Sequence, residues 1–75
     1  MSVEWILEVI FNNDKGETIQ SKYSMYENFE NIEAEKTMKA CFEVLKNEGK
    51  CNKACLYKKY ETEEKVLEYN KINIL

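Results

Sequence analysis

The chain has 75 residues and a formal net charge of −3, a length that allows one small domain with a limited core. It contains three cysteines and no histidine, which excludes an even disulfide framework and an ordinary four-ligand zinc site. Glu8 interrupts the first apolar run, so neither a signal peptide nor a membrane span is expected. We therefore expect a single domain over residues 1–75, with free thiols and a cytoplasmic location.

The charges are unevenly distributed along the chain. Residues 1–35 hold eight acidic residues and two lysines, a net charge of −6, whereas residues 36–75 hold six acidic residues and nine lysines, a net charge of +3. Every basic residue is lysine, which lacks the planar group that arginine offers to phosphates and base edges. Sequence-specific recognition of nucleic acid is therefore disfavoured. The residue usage, without Arg, His or Pro, is typical of an AT-rich genome such as that of a phage or another mobile element.

Two strands are predicted at the start of the chain. Residues 3–11 alternate with the period of a half-buried strand, with Trp5 on one face and Ile6 on the other. A cluster of turn-forming residues follows, in which Gly16 suits a left-handed position. Residues 18–26 alternate again and are expected to pair back as a hairpin. The face that carries Trp5 should then include Leu7, Ile19, Tyr23 and Met25.

A helix is predicted from about residue 30 to residue 48. Its apolar residues recur at the offsets of one helical face. Glutamates lie near its start and Lys46 near its end, which complements the helix dipole. Asn28 or Asn31 is expected to cap the start, and Gly49 to end the helix in a left-handed conformation. The apolar stripe consists of Ala34, Met38, Cys41, Phe42 and Leu45.

The last third of the chain is interpreted as a second hairpin. Its strands lie at about residues 55–60 and 66–75, where β-prone residues are frequent, and residues 62–64 join them. The apolar residues of the last strand change face along the chain, so a bulge near Asn70 is expected. A competing interpretation makes Thr62 the N-cap of a short helix over residues 63–71.

These elements give the order ββαββ. We expect an α+β fold in which a four-stranded antiparallel or mixed sheet has one helix packed on one face. A β-grasp-like order, with the first and fourth strands at the centre, is one topology that fits. Since one helix covers only one face, the opposite face, which carries Ile6, should be open.

An open apolar face with a charged border is typical of an association surface. The glutamates around the helix start are a second candidate, because spaced carboxylates can imitate the phosphates of a nucleic acid, although they also complement the helix dipole. We therefore hypothesise a non-enzymatic protein-binding module, such as a small inhibitor or regulator from a phage, with an unidentified protein or a second copy as partner. The candidate residues are Ile6, Glu8, Ile10, Tyr26 and Tyr57 on the sheet, and Glu27, Glu30 and Glu33 near the helix start.

Two alternative functions arise from the second half of the chain. Lysines and tyrosines between residues 46 and 60 combine phosphate attraction with stacking surfaces, which favours nonspecific binding of single-stranded nucleic acid. Lysines on exposed strands also discourage edge-to-edge pairing with other chains, and this role accounts for the same lysines without any ligand. A cysteine metal site is less favoured, because Cys51 and Cys55 would lie about 13 Å apart on an extended chain. The nucleic-acid candidates are Lys50, Lys53, Tyr57, Lys58, Lys59 and Tyr60.

No catalytic residue, cofactor or resident metal is predicted. A nucleophile would need lysine or a carboxylate as its base, because the chain has no histidine. Gly16 and Gly49 are the only glycines, so a glycine-rich phosphate loop is excluded. The glutamates are spread over solvated faces, and a chain this short offers little room for a catalytic pocket. We therefore expect that the protein is not an enzyme.

Overall fold

The structure, a computed structural model, describes residues 2–71. Its elements are β1 (Val3–Asn12), β2 (Thr18–Glu27), α1 (Ala34–Glu48), β3 (Lys53–Lys59) and β4 (Glu63–Asn70). The predicted α+β class and the order ββαββ are confirmed. The competing interpretation of a helix over residues 63–71 is wrong, because β4 occupies this segment.

All four strands form one antiparallel sheet in the order β2-β1-β3-β4. The β-grasp-like order would place β4 beside β1, and this is wrong because β3 occupies that place. β2 and β3 both run antiparallel to β1, so they are parallel to each other. Parallel strands need a long crossover, and α1 provides it on one face of the sheet.

The first hairpin turn follows the sequence prediction. The Asn13 side-chain oxygen accepts hydrogen bonds from the backbone N–H groups of Lys15 and Glu17, each at 2.9 Å. Gly16 has a φ of 80°, in the left-handed region that glycine adopts without a steric penalty. The second turn spans residues 60–62, slightly before the predicted position. Both hairpins therefore have short, local connections.

β4 contains a bulge, but not where it was expected. Its pairing with β3 skips Val66, since Leu67 lies opposite Leu56 whereas Lys65 lies opposite the next residue of β3. The pairing is regular from Leu67 through Asn70, so the expected bulge near Asn70 is wrong. The apolar C-terminal residues that motivated that expectation lie outside the described residues.

The core lies between α1 and the face of the sheet that carries Trp5. The helix contributes residues spaced four apart, which form one row along its surface. Cys41 was expected in this row but is exposed, because it lies on the side of α1 that faces a groove next to β2 and not the filled core. The buried core residues are Trp5, Leu7, Val9, Ala34, Met38, Phe42, Cys51, Ala54 and Leu56.

The two ends of α1 differ in how well they were predicted. Gly49 ends the helix as expected, with a φ of 65° and an N–H that donates to the Leu45 carbonyl oxygen at 3.1 Å. The helix starts later than expected, and Glu33 at its N-cap makes no side-chain capping hydrogen bond. Neither Asn28 nor Asn31 caps it, because these two residues pair with each other in the preceding turn.

Replacing Phe42 with Ala should lower the free energy of unfolding by about 3–5 kcal/mol, because it leaves a cavity in the core. That loss is a large part of the stability of any small domain. Val44→Ala is the matched control, since Val44 is exposed on the same helix and its loss should change stability by less than about 0.5 kcal/mol. Urea unfolding followed by tryptophan fluorescence measures both variants. Equal midpoints for the two would contradict this core.

Candidate protein-binding surfaces

The open face is the side of the sheet opposite α1. Among residues 2–71, α1 is the only helix, and it packs on the Trp5 side. Ile6 and Ile10 are half-buried on the open face, and Ile6 lies opposite Tyr57. The sheet register brings together five of the predicted protein-binding residues on this face: Ile6, Glu8, Ile10, Tyr26 and Tyr57.

A polar row crosses the open face at its middle. Lys22, Glu8, Cys55 and Glu68 lie opposite one another on the four strands. Glu8 accepts a hydrogen bond from Gln20 at 2.6 Å and lies 3.7 Å from the Lys22 ammonium. This row separates the apolar residues around Ile6 from Ile10. The open face therefore has one small apolar area at Ile6 and Tyr57 and an isolated Ile10, and not one continuous patch.

Glu68 is the most strongly bonded carboxylate of the open face. It accepts hydrogen bonds from Asn70 at 2.9 Å and from Lys65 at 3.0 Å, and the Lys53 ammonium lies 3.6 Å away. These hydrogen bonds lower the pKa of Glu68, and the bond to Glu68 raises the pKa of Lys65. Burial and the neighbouring Cys55 raise the pKa of Tyr57. Glu68 is thus bonded mainly within β4, and its ion pair with Lys53 links β4 to β3.

A tight turn connects β2 to α1. Asn28 and Asn31 exchange backbone hydrogen bonds of 3.2 and 3.1 Å, and the Asn28 side-chain oxygen also accepts the N–H of Glu30 at 2.9 Å. Phe29 lies within this turn and is 100% exposed, and Ile32, which follows the turn, is 75% exposed. Two large apolar side chains are therefore held outside the core by an ordered backbone.

We call residues 27–33 the acidic turn, because this segment contains three glutamates and no basic residue beside the two apolar side chains. The chain has no lysine between residues 23 and 35. Glu27 accepts a hydrogen bond from the indole N–H of Trp5 at 3.0 Å, which ties the start of the turn to the core. The acidic turn contains the predicted residues Glu27, Glu30 and Glu33 together with Phe29 and Ile32.

Sequence reasoning identified the acids of this turn but missed Phe29 and Ile32. A signal was present, because Phe29 lies in a segment with an asparagine at each end, and asparagine favours turns. Neither residue fits the apolar stripe of α1 or the alternation of β2. Apolar residues that match no periodic element have no predicted place in the core.

The lysines and tyrosines predicted to bind nucleic acid do not share one surface, because side chains alternate along β3. Lys58 lies on the helix side, with its ammonium 5.6 Å from the centroid of the Trp5 ring. Lys53 lies on the open face within 3.6 Å of a Glu68 oxygen. The remaining candidates are Tyr57 and Lys59 on the open face, and Lys50 and Tyr60 in the loops before and after β3.

One cysteine should react with an aromatic disulfide reagent in the native protein, and all three after denaturation. Cys41 is exposed, whereas Cys51 and Cys55 are buried, and burial raises the pKa of the Cys51 thiol. A buried thiol with a raised pKa forms little thiolate and is poorly accessible to the reagent, so it reacts slowly. Cys41→Ser should remove the native reaction. Fast reaction of two or three thiols without denaturant would contradict the burial of Cys51 and Cys55.

Glu68 should stabilise the protein at neutral pH and lose this effect in acid. Its pKa is lower in the folded state, so its stabilisation is complete above the unfolded pKa, about 4.3, and is lost as the pH falls through the folded value. Glu68→Gln should therefore flatten the dependence of the urea midpoint on pH below about 5. Lys65→Met removes one of the two donors and should have a smaller effect. An unchanged profile for Glu68→Gln would contradict the role of these hydrogen bonds.

Over the part of the chain that the structure describes, no three or more histidine, cysteine or acidic side chains form a group that could hold a metal ion. No helix within residues 2–71 is both long and apolar enough to cross a membrane. Comparison of the chain with protein-family models, curated proteins and solved structures gives no match.

Proposed function

We propose that this chain is a non-enzymatic protein-binding module that engages a basic surface of another protein through its acidic turn. The observation that carries this proposal is the exposure of Phe29 at 100% in a hydrogen-bonded turn. Leaving such a side chain in water forgoes about 1.5–3 kcal/mol relative to burial. A partner that covers Phe29 recovers this free energy.

The acidic turn has the composition of a binding hot spot. Aromatic side chains at the centre of an interface, surrounded by polar groups that exclude water, contribute most of the binding free energy. Phe29 and Ile32 supply the apolar centre, and Glu30 and Glu33 supply the polar border. The backbone and side-chain hydrogen bonds of Asn28 fix the turn before binding, which reduces the entropy lost on association.

The charge of the acidic turn indicates the chemistry of the partner. The turn has three acidic residues and no basic one, so it complements a lysine-rich or arginine-rich surface that also has an apolar pocket. Opposite charges accelerate association and make it sensitive to salt. Surfaces of this kind commonly bind nucleic acid. A small acidic module that occupies one acts as an inhibitor or regulator, which is the role we propose here.

The open face supports this function less well than the acidic turn. Ile6 and Ile10 are half-buried, so part of each apolar side chain is accessible to a partner, as the centre of an interface requires. However, the polar row through Glu8 separates them. Binding there would have to cover carboxylates and ammonium groups that already pair with each other. Covering such groups costs free energy unless their bonds are kept.

Phe29→Ala should weaken partner binding by about 30-fold or more, the effect typical of an interface hot spot. It should leave the urea midpoint unchanged, because the side chain is fully exposed. The tagged protein first captures its partner from the cells that carry its gene. Titration calorimetry with the purified partner then compares the wild type with the variant at two salt concentrations.

A double variant, Ile6→Lys with Ile10→Lys, is the matched control for the open face. It should retain the affinity of the wild type, because these residues lie away from the acidic turn. The proposal is wrong if Phe29→Ala binds the partner as tightly as the wild type does. Loss of binding in the double variant alone would assign the function to the open face.

A further inference from the structure

An apolar groove lies between α1 and β2 on the helix side of the sheet. It has a volume of about 600 Å³, and Tyr23 and Met25 of β2 face Cys41 and Val44 of α1 across it. Tyr23 is 58% exposed and Val44 is 54% exposed. The groove exists because α1 lies over β1 and covers β2 only in part.

The groove is neutral in a chain that is rich in charge. None of the residues that line it is charged, although charged residues make up 33% of the sequence. It adjoins the free edge of β2, a strand of ten residues at the border of the sheet. Half of the backbone N–H and C=O groups of such a strand point away from the sheet and can pair with another strand.

We propose that a second copy of this chain docks along this edge, with β2 antiparallel to β2. The sheet would then continue through eight strands, and both helices would lie on the same side. A two-fold axis perpendicular to the sheet produces this arrangement and requires one patch that matches itself. The proposal concerns a different surface from the acidic turn and does not depend on the function proposed there.

The charges of β2 select the register of this pairing. Lys22 and Glu27 are the only charged residues of the strand. A two-fold axis at Tyr23 places Lys22 opposite Ser24 of the second copy, and Glu27 opposite Ile19. An axis at Lys22 would instead place two ammonium groups face to face, which is destabilising. The axis at Tyr23 therefore pairs nearly the whole strand without placing like charges directly opposite each other.

In the proposed dimer, the distance between the α1 helices of the two copies explains why the side chains of the groove are needed to fill the space between them. α1 packs against β2, β1 and β3, so it lies over β1, one and a half strand spacings from the axis. With about 4.8 Å between strands, the two helix axes lie about 14 Å apart, beyond the 8–10 Å or so of direct helix packing. Tyr23, Met25 and Val44 from both copies would fill this space.

The side of the molecule along β2 has the size of a small dimer interface. Ten residues of β2 extend for about 33 Å, and the fold is 20 Å across, so contact over this whole side would bury at most roughly 650 Å² on each copy and about 1,300 Å² in total. Stable interfaces bury about 1,200–2,000 Å². An acidic chain would otherwise repel its copy, and this neutral face avoids that repulsion.

Tyr23→Lys tests the proposal, because it places two positive charges next to each other at the axis. The wild type should sediment as a dimer at about 100 µM, and the variant should dissociate at least about 30-fold more readily. Val44→Lys, a change on the exposed side of α1, should give the same result. Circular dichroism checks that both variants fold.

Ile6→Lys and Phe29→Ala are the controls, since they change the open face and the acidic turn. Both should remain dimeric. A monomeric wild type at this concentration would overturn the proposal. So would a dimer that survives Tyr23→Lys and Val44→Lys, or one that only Ile6→Lys disrupts, since the latter would place the contact on the open face.

Discussion

The width of one helix relative to the sheet determines most of the features of this protein. Four strands spaced about 4.8 Å apart make a sheet roughly 19 Å wide, whereas a helix with its side chains is about 10–12 Å across. α1 therefore lies over β1, contacts β3 and part of β2, and leaves β4 and the outer side of β2 largely bare. The fully buried sheet residues accordingly lie on the central strands and include Trp5, Leu7 and Leu56, whereas Tyr23 of β2 is exposed on the same face.

Trp5 connects this core to the acidic turn. Its ring is buried beside the helix, its indole N–H donates to Glu27, and the ammonium groups of Lys39 and Lys58 lie 6.0 and 5.6 Å from the ring centroid. Cations at this distance are attracted to the face of the ring. One side chain thus joins α1, β1, β3 and the end of β2, and it holds the start of the acidic turn in place.

The sequence predicted those features that depend on local period and turn chemistry. Alternation assigned Trp5 and Ile6 to opposite faces correctly, and Gly16 and Gly49 marked a turn and a helix end. Strand order could not be predicted in the same way, because every order of four such strands satisfies the same alternation. The exposure of Cys41 also depends on where the helix axis lies over the sheet, which the apolar stripe alone leaves undefined.

Of the acidic turn, the sequence predicted the charge but not the exposed apolar side chain. The glutamates of the acidic turn stand out by charge, which is a property of the residues themselves. The exposure of Phe29 depends on the hydrogen bonds of Asn28, which draw this segment into a turn and delay the start of the helix. The charge of a site is therefore easier to predict from sequence than the solvent exposure of an apolar side chain.

The bulge at Val66 makes the two borders of the sheet unequal. β2 offers ten residues in regular register, whereas β4 is shorter and interrupted, and a bulged strand is a poor template for a neighbour. Strand addition is therefore favoured at one border and resisted at the other. In the proposed dimer only the two bulged β4 borders would remain exposed, so the assembly would end at two copies and would not extend into a filament.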